Sequence, residues 1–354
     1  MTNNKVLMKG NEAFALAAIK SGCKYYFGYP ITPQNEIPEY MSHELKKAGG
    51  CFVQAESEIA AINMAYGAGA AGGRVMISSS SPGIALMQEG LSFLCSVEVP
   101  CVIINVSRGG PGIGTILPGQ SDYYQSTRGG GNGDYHLIVY APASIQESVS
   151  LIIKAFDISD LYRNPVLILV DGMIGQMMEP VLFPEETKNT KIEKPWALTG
   201  TNDQRVHNVI KSVHLQAEEL EDWNTHLAKK YKIIKDKEVL YEEKNIENAE
   251  IVFVAYGTTS RIVKEAMETL KELGINAGII RPITLWPFPY QALEKLSCDV
   301  KAVISVELSQ GQMVDDVRLG VNGRIPVHFV GRCGGVVISS SEVVDFAKSI
   351  LGVK

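Results

Sequence analysis

Short apolar runs, turns of small or polar residues and helix-length stretches alternate along this chain. Asn11 to Lys20 carries the three-and-four spacing of an amphipathic helix, and Gly22 supplies its stop. Strand-length apolar runs lie at Tyr25–Phe27, Cys51–Val53, within Arg74–Gly83, at Cys101–Val106 and at Val166–Val170. Between the last two, Ser144–Tyr162 reads as a helix capped by Ser144, with Glu147 three residues on. This alternation predicts an α/β fold, a parallel sheet with helices on both faces.

From Phe183 to Ala249 the pattern turns polar. Glu218–Asp222 followed by Lys229 and Lys230 suits the dipole of one solvated helix, so this stretch predicts a connector with an exposed helix. A second α/β unit begins at Ile251–Gly257. Its first helix places Ile262, Val263, Ala266, Met267, Leu270 and Leu273 on one face and ends at Gly274. Ile275–Arg281, Lys301–Glu307 and Val327–Val330 supply further strands. The expected division is 1–182, a connector over 183–248, and 249–354. Gly257–Ser260 has the look of a phosphate cradle but lacks the G-x-x-x-x-G-K spacing, so no nucleotide is expected there.

Composition narrows the class. A chain of 354 residues exceeds the roughly 250–300 at which single cores stop growing, which predicts two domains. The apolar runs are too short to span a bilayer, and the start lacks the basic and apolar regions of a signal peptide. A cytoplasmic protein with no membrane association is expected. The net charge of −6 and the absence of basic patches interleaved with aromatics argue against nucleic acid. Six cysteines show no C-x-x-C spacing, which predicts small buried hydrophobes in a reducing compartment, not a disulfide framework, metal site or cluster ligands. His207, His214 and His226 fall in the polar stretch and are expected in solvent.

Candidate chemistry gathers where strands give way to loops. Glu58 opens a helix rich in small residues (Ala60, Ala61, Ala65, Gly67, Ala68), whose slim surface admits another backbone or a flat ring. Favourable placement at a helix N-terminus explains part of that carboxylate. Gly28–Gln34 (GYPITPQ) is a turn stiffened by Pro30 and Pro33, presenting the hydroxyl of Thr32. Arg108 follows a buried strand and precedes Gly109 and Gly110, a fixed cation where ligands gather in α/β sheets. An ion pair with Asp122 or Glu89 is its alternative role. Ser80 and Ser81, before Pro82-Gly83, either line a pocket or make the turn. Four such transitions predict one cleft lined by several loops.

Taken in order, YPITP at 29–33, Glu58 with its Ala/Gly helix, SSPG at 80–83 before LMQE at 86–89, and RGGP at 108–111 before QSD at 120–122 resemble the α subunit of the 2-oxoacid:ferredoxin oxidoreductases. The resemblance runs from about Lys5 to Met178 and resumes near Ile251. GYPITPQ and GGGNGD at 129–134 look most like the type acting on 3-methyl-2-oxobutanoate. It implies a thiamine diphosphate-binding, pyrimidine-type domain followed by a transketolase C-terminal-like α/β domain. It implies Glu58 as the carboxylate on the cofactor's pyrimidine nitrogen, Pro30, Ile31, Ser80 and Ser81 around the cofactor, and Thr32 and Arg108 facing the oxoacid.

The resemblance also implies oxidative decarboxylation, with coenzyme A accepting the acyl group and ferredoxin the electrons. The G-D-G…N pattern that holds Mg²⁺ in related enzymes is absent, so Mg²⁺ is expected on a β subunit. Iron–sulfur clusters are expected on partners, which include a γ subunit and a ferredoxin-like subunit. The same machinery acting on 2-oxoglutarate or pyruvate is the alternative. No extra cation for a distal carboxylate stands in either substrate loop, which leans toward a branched apolar acid. A non-catalytic structural subunit is a lesser alternative.

Overall fold

Seven strands form the larger sheet of the computed structural model, which describes residues 5–184 and 192–353. Met1–Asn4, residues 185–191 of the polar connector and Lys354 lie outside the described residues. In sheet order the strands are Thr284–Trp286, Ile138–Tyr140, Val166–Asp171, Val102–Ser107, Val75–Ser79, Tyr25–Gly28 and Cys51–Gln54. All are parallel except Thr284–Trp286, which runs antiparallel to Ile138–Tyr140. Val102–Ser107 and Val166–Asp171 are buried throughout because helices cover both faces, which is why they read as nearly continuous apolar runs, interrupted in the first by Asn105.

The helix Gly10–Lys20 departs from the amphipathic expectation. Its Asn11, Ala13, Phe14, Ala15, Ala17 and Ala18 are all buried, since it lies between the helices Glu36–Lys47 and Ile145–Tyr162. The connector helix, Ala217–Lys237, is not wholly solvated either. Leu227, Tyr231 and Ile234 join the main core, and Trp223 Nε1 donates to Ser96 O at 2.7 Å. Lys230, Arg163 and His226 converge on the buried Glu98 carboxylate, so His226 is a partner in an ion cluster, with about half its side chain still exposed. Cys23, Cys95 and Cys101 are buried as expected, and burial pushes the Cys23 and Cys95 thiols up to about 12. Cys51, Cys298 and Cys333 are exposed, against the expectation of uniform burial. Among the described residues no helix is long and apolar enough to cross a membrane.

The second sheet has five strands in the order Val327–Gly331, Ala302–Glu307, Ile251–Val254, Ala277–Pro282 and Tyr241–Lys244, the last antiparallel. Its carboxyl ends face the first unit. There the Gly257–Ser260 turn does cradle an anion, but an internal one. Thr258 N and Oγ1 donate to the buried carboxylate of Asp171 at 3.2 and 2.8 Å. The same carboxylate caps the short helix Gly172–Gln176 through Met173 N and Ile174 N. Gln120 is held as firmly. Its Nε2 donates to Tyr256 O at 2.9 Å, its Oε1 accepts from Leu308 N at 2.9 Å, and its N donates to Leu308 O at 2.8 Å.

Candidate active site

Four turns stand side by side at the carboxyl ends of Cys51–Gln54, Tyr25–Gly28, Val75–Ser79 and Val102–Ser107, neighbours in the sheet. They carry every residue singled out above. Ala55 N donates to Gly28 O at 2.9 Å, and Ser78 Oγ links the Tyr26 hydroxyl at 2.7 Å to Gln34 Oε1 at 2.6 Å. The GYPITPQ turn is therefore fixed to the strands on either side of it. Within that turn Pro30 is exposed, Ile31 and Thr32 are half-buried, and the Thr32–Pro33 bond is cis.

Arg108 is buried, yet neither proposed carboxylate partner takes its charge. Nη1 donates to Thr32 O and Nη2 to Ile113 O, each at 2.8 Å, while Nε has no partner. Glu89 instead accepts from Asn132 N at 3.0 Å. Asp122 Oδ2 accepts from Ser81 Oγ at 2.6 Å and from Asn105 Nδ2 at 2.8 Å. Burial pushes the Asp122 carboxyl up, against those two hydrogen bonds and the nearby Arg108 charge. Ser81 also accepts from Arg108 N at 2.9 Å, so its hydroxyl is committed to holding the arginine's backbone. A buried guanidinium satisfied by carbonyls retains its net charge for an anion brought from outside.

Glu58 is the first residue of the helix Glu58–Ala70, whose cap is Ser57, accepting from Ala60 N at 3.1 Å. The Glu58 carboxylate therefore has no capping duty. It is buried beside Gly83, where an added Cβ would stand 2.6 Å from Glu58 Oε1 and 2.0 Å from Ser79 Oγ. The hydroxyls of Ser79 and Ser80 are buried without partners. A buried carboxylate, two orphaned hydroxyls and a glycine with no room for a side chain meet here, a cluster of buried polar groups whose partners the chain does not supply.

Residues 16–247 match the family described as pyruvate flavodoxin/ferredoxin oxidoreductase, thiamine diphosphate-binding. The chain belongs to this family. Residues 249–343 match core domain II of pyruvate:ferredoxin oxidoreductase. The chain is 47% identical, over 98% of both chains, to ketoisovalerate oxidoreductase subunit VorB of Methanothermobacter thermautotrophicus. It is 36% identical to 2-oxoglutarate synthase subunit KorA of Methanocaldococcus jannaschii, over 98% of this chain and 99% of that one. Among solved structures, the 2-oxoglutarate:ferredoxin oxidoreductase of Magnetococcus marinus, with 2-oxoglutarate, coenzyme A and succinyl-CoA bound, superposes with a TM-score of 0.87 at 27% identity. That match covers 98% of this chain and 65% of the other.

Thr32, Arg108 and Ser81 are joined by hydrogen bonds, and Glu58 and Ser79 meet at Gly83. No direct bond links these two groups among the described residues. Sequence reasoning quoted Gly83 and Gln120 inside motifs without giving either a role, and it passed over Ser79 and Asn105. The Pro-Gly pair marks a turn whatever its neighbours, and a lone polar residue does not announce a partner far along the chain. The buried Asn105, inside an otherwise apolar strand, is the signal that a polar contact awaited it.

Proposed function

We propose that this chain is the α-type subunit of a 2-oxoacid:ferredoxin oxidoreductase that converts 3-methyl-2-oxobutanoate, coenzyme A and oxidised ferredoxin to the acyl-CoA, CO₂ and reduced ferredoxin. The observation that carries this reading is the buried Arg108 guanidinium, held by carbonyls beside Thr32 and without a carboxylate of its own. It binds the oxoacid's carboxylate and orients the substrate. Thr32 Oγ1 accepts weakly from Asn35 Nδ2 at 3.4 Å, which leaves its proton to donate to the oxoacid. Bound thiamine diphosphate supplies the electron sink that decarboxylation of a 2-oxoacid requires. Glu58 would hold a proton at the pyrimidine nitrogen, and Ser79, Ser80, Gly83, Pro30 and Ile31 would surround the ring.

The cleft beside Thr32, about 470 Å³, supports a branched apolar acid. Ile116, Leu117, Pro118 and Met173 line it, and the one charged side chain among its described lining residues is Glu36. Burial opposes that carboxylate, but hydrogen bonds, foremost from Asn11, lower its pKa and Lys9 pairs with it at 3.2 Å, so the described lining offers no cation to the distal carboxylate of a dicarboxylic oxoacid. The KorA likeness favours the second reading, the same subunit role on 2-oxoglutarate.

The catalytic unit is a hetero-oligomer in the cytoplasm. A β subunit brings the diphosphate and Mg²⁺ site, and γ and ferredoxin-like subunits bring the clusters. Exposed Ile59 and Met64 on Glu58's own helix, with Leu86 and Phe93 on the two helices packed beside it, support coverage by the β subunit. The division into 1–182, 183–248 and 249–354 belongs to the same proposal.

The test is coenzyme A-dependent viologen reduction by the complex copurified with this chain, offered 3-methyl-2-oxobutanoate, pyruvate or 2-oxoglutarate. Preference for the branched acid is expected. Preference for another oxoacid corrects the specificity alone. No reduction by a complex proven to hold thiamine diphosphate and clusters makes the chain a structural subunit.

A further inference from the structure

The loop that carries Arg108 closes on itself. Gly109 N donates to Leu117 O at 2.9 Å, Thr115 N donates to Gly109 O at 2.8 Å, and Arg108 pairs with Pro118 across an isolated bridge. The guanidinium reaches back to the tip of this hairpin at Ile113 O, so the charge sits where the hairpin puts it.

One side of the hairpin rests on the second domain. A Cβ on Gly335 would stand 2.6 Å from Leu117 Cβ and 2.9 Å from Thr115 Cγ2, and one on Gly109 would stand 2.8 Å from Gly335 N. The two turns therefore touch with no room for a side chain on either glycine. Gly335 has φ +93°, a conformation that other residues adopt only with strain. The turn that bears it is itself anchored. Arg332 N donates to Glu307 O at 3.2 Å, and the Arg332 guanidinium pairs with Glu342 at 3.3 Å. Glu307 is fully buried, its carboxylate accepting from the backbone N–H groups of Gln312, Met313 and Val314.

We propose that Gly335, in the turn after the edge strand of the second sheet, is a positioning residue for Arg108 and so sets the affinity for the oxoacid's carboxylate. The inference rests on the oxoacid reading above. It gives the second domain a part in substrate binding beyond assembly.

The experiment uses the complex copurified with its partner subunits. In Gly335→Ala, the KM for 3-methyl-2-oxobutanoate rises at least about tenfold, on the scale that a misplacement of about 1 Å commands. The kcat and the KM for coenzyme A stay at their wild-type values. Added to Arg108→Ala, the same change has no further effect on kcat/KM, because the two residues act through one contact. Thr115→Ser removes the Cγ2 of that contact, keeps the hydroxyl that accepts from Leu117 N at 3.3 Å, lies outside the substrate cleft and gives a smaller rise. It decides the matter where Gly335→Ala does not assemble. An unchanged oxoacid KM in the assembled variant, or an effect that multiplies with that of Arg108→Ala, overturns the proposal. A loaded wild-type complex that oxidises no 2-oxoacid overturns the underlying reading instead, so the two failures are distinct.

Discussion

Glu58 shows how much of a residue's role depends on what its neighbours already do. Ser57 caps the helix, so the buried Glu58 carboxylate beside Gly83 is not needed as its cap. Glu58→Gln keeps the shape and removes the proton-sharing carboxylate. Turnover is expected to fall by about 10²–10⁴, the usual worth of such assistance, while the variant assembles normally. Steady-state rates set beside the variant's elution with its partners check this, and near-wild-type turnover would remove Glu58 from the proton relay. Arg108 follows the same logic in reverse. Its charge was legible in the sequence as a cation ahead of glycines, but its partners were not. Both are backbone carbonyls, and a carbonyl has no residue type to read.

At the scale of elements, apolar runs and their flanking turns were enough to place the central strands, because buried parallel strands announce themselves by nearly continuous apolarity. Two short strands of the larger sheet escaped. Ile138–Tyr140 is too brief to stand out, and nothing in the apolarity of Thr284–Trp286 says that it leaves its own unit for the other sheet. The His136 ring, just before the first of these, stacks on Trp286 with centroids 4.5 Å apart. Burial first, then the charge of Lys235, lowers its pKa from 6.5 to about 4, against the raising effects of the Thr127 backbone and Asp134. For a base depressed in the folded state, the unfolded chain binds the proton first. Stability is therefore lost as pH falls from 6.5 toward about 4. His136→Phe keeps a ring in place and removes the titration. The urea midpoint of the wild type should drop between about pH 7 and about pH 5 more than that of the variant. Equal drops would show that His136 titrates normally.

For the molecule as a whole, one apolar cluster runs through both units, and a few saturated polar groups pin the two sheets within it. Gln120 spends its side chain and its backbone N–H on Tyr256 and Leu308, and Asp171 serves a helix from each unit. Periodicity predicts two units, but it does not predict how they lock, since each pin is one polar residue whose partner lies far along the chain. Gln120→Ala leaves the Leu308 N–H buried and unpaired, a loss of about 1–3 kcal/mol. Calorimetry should show one unfolding transition in the wild type and a lower midpoint in the variant. An unmoved midpoint would mean that the junction is held elsewhere.

The strand Thr284–Trp286 closes one edge of the larger sheet from far along the chain. During synthesis, therefore, the first unit emerges from the ribosome with Ile138–Tyr140 bare, and it stays bare until translation has passed Trp286. Until then the nascent sheet offers an open row of donors and acceptors to any other extended chain. A gene fragment cut at the apparent boundary near residue 249 would make that exposure permanent. The amino-terminal unit is thus a poor candidate for separate expression, whatever the integrity of its own core.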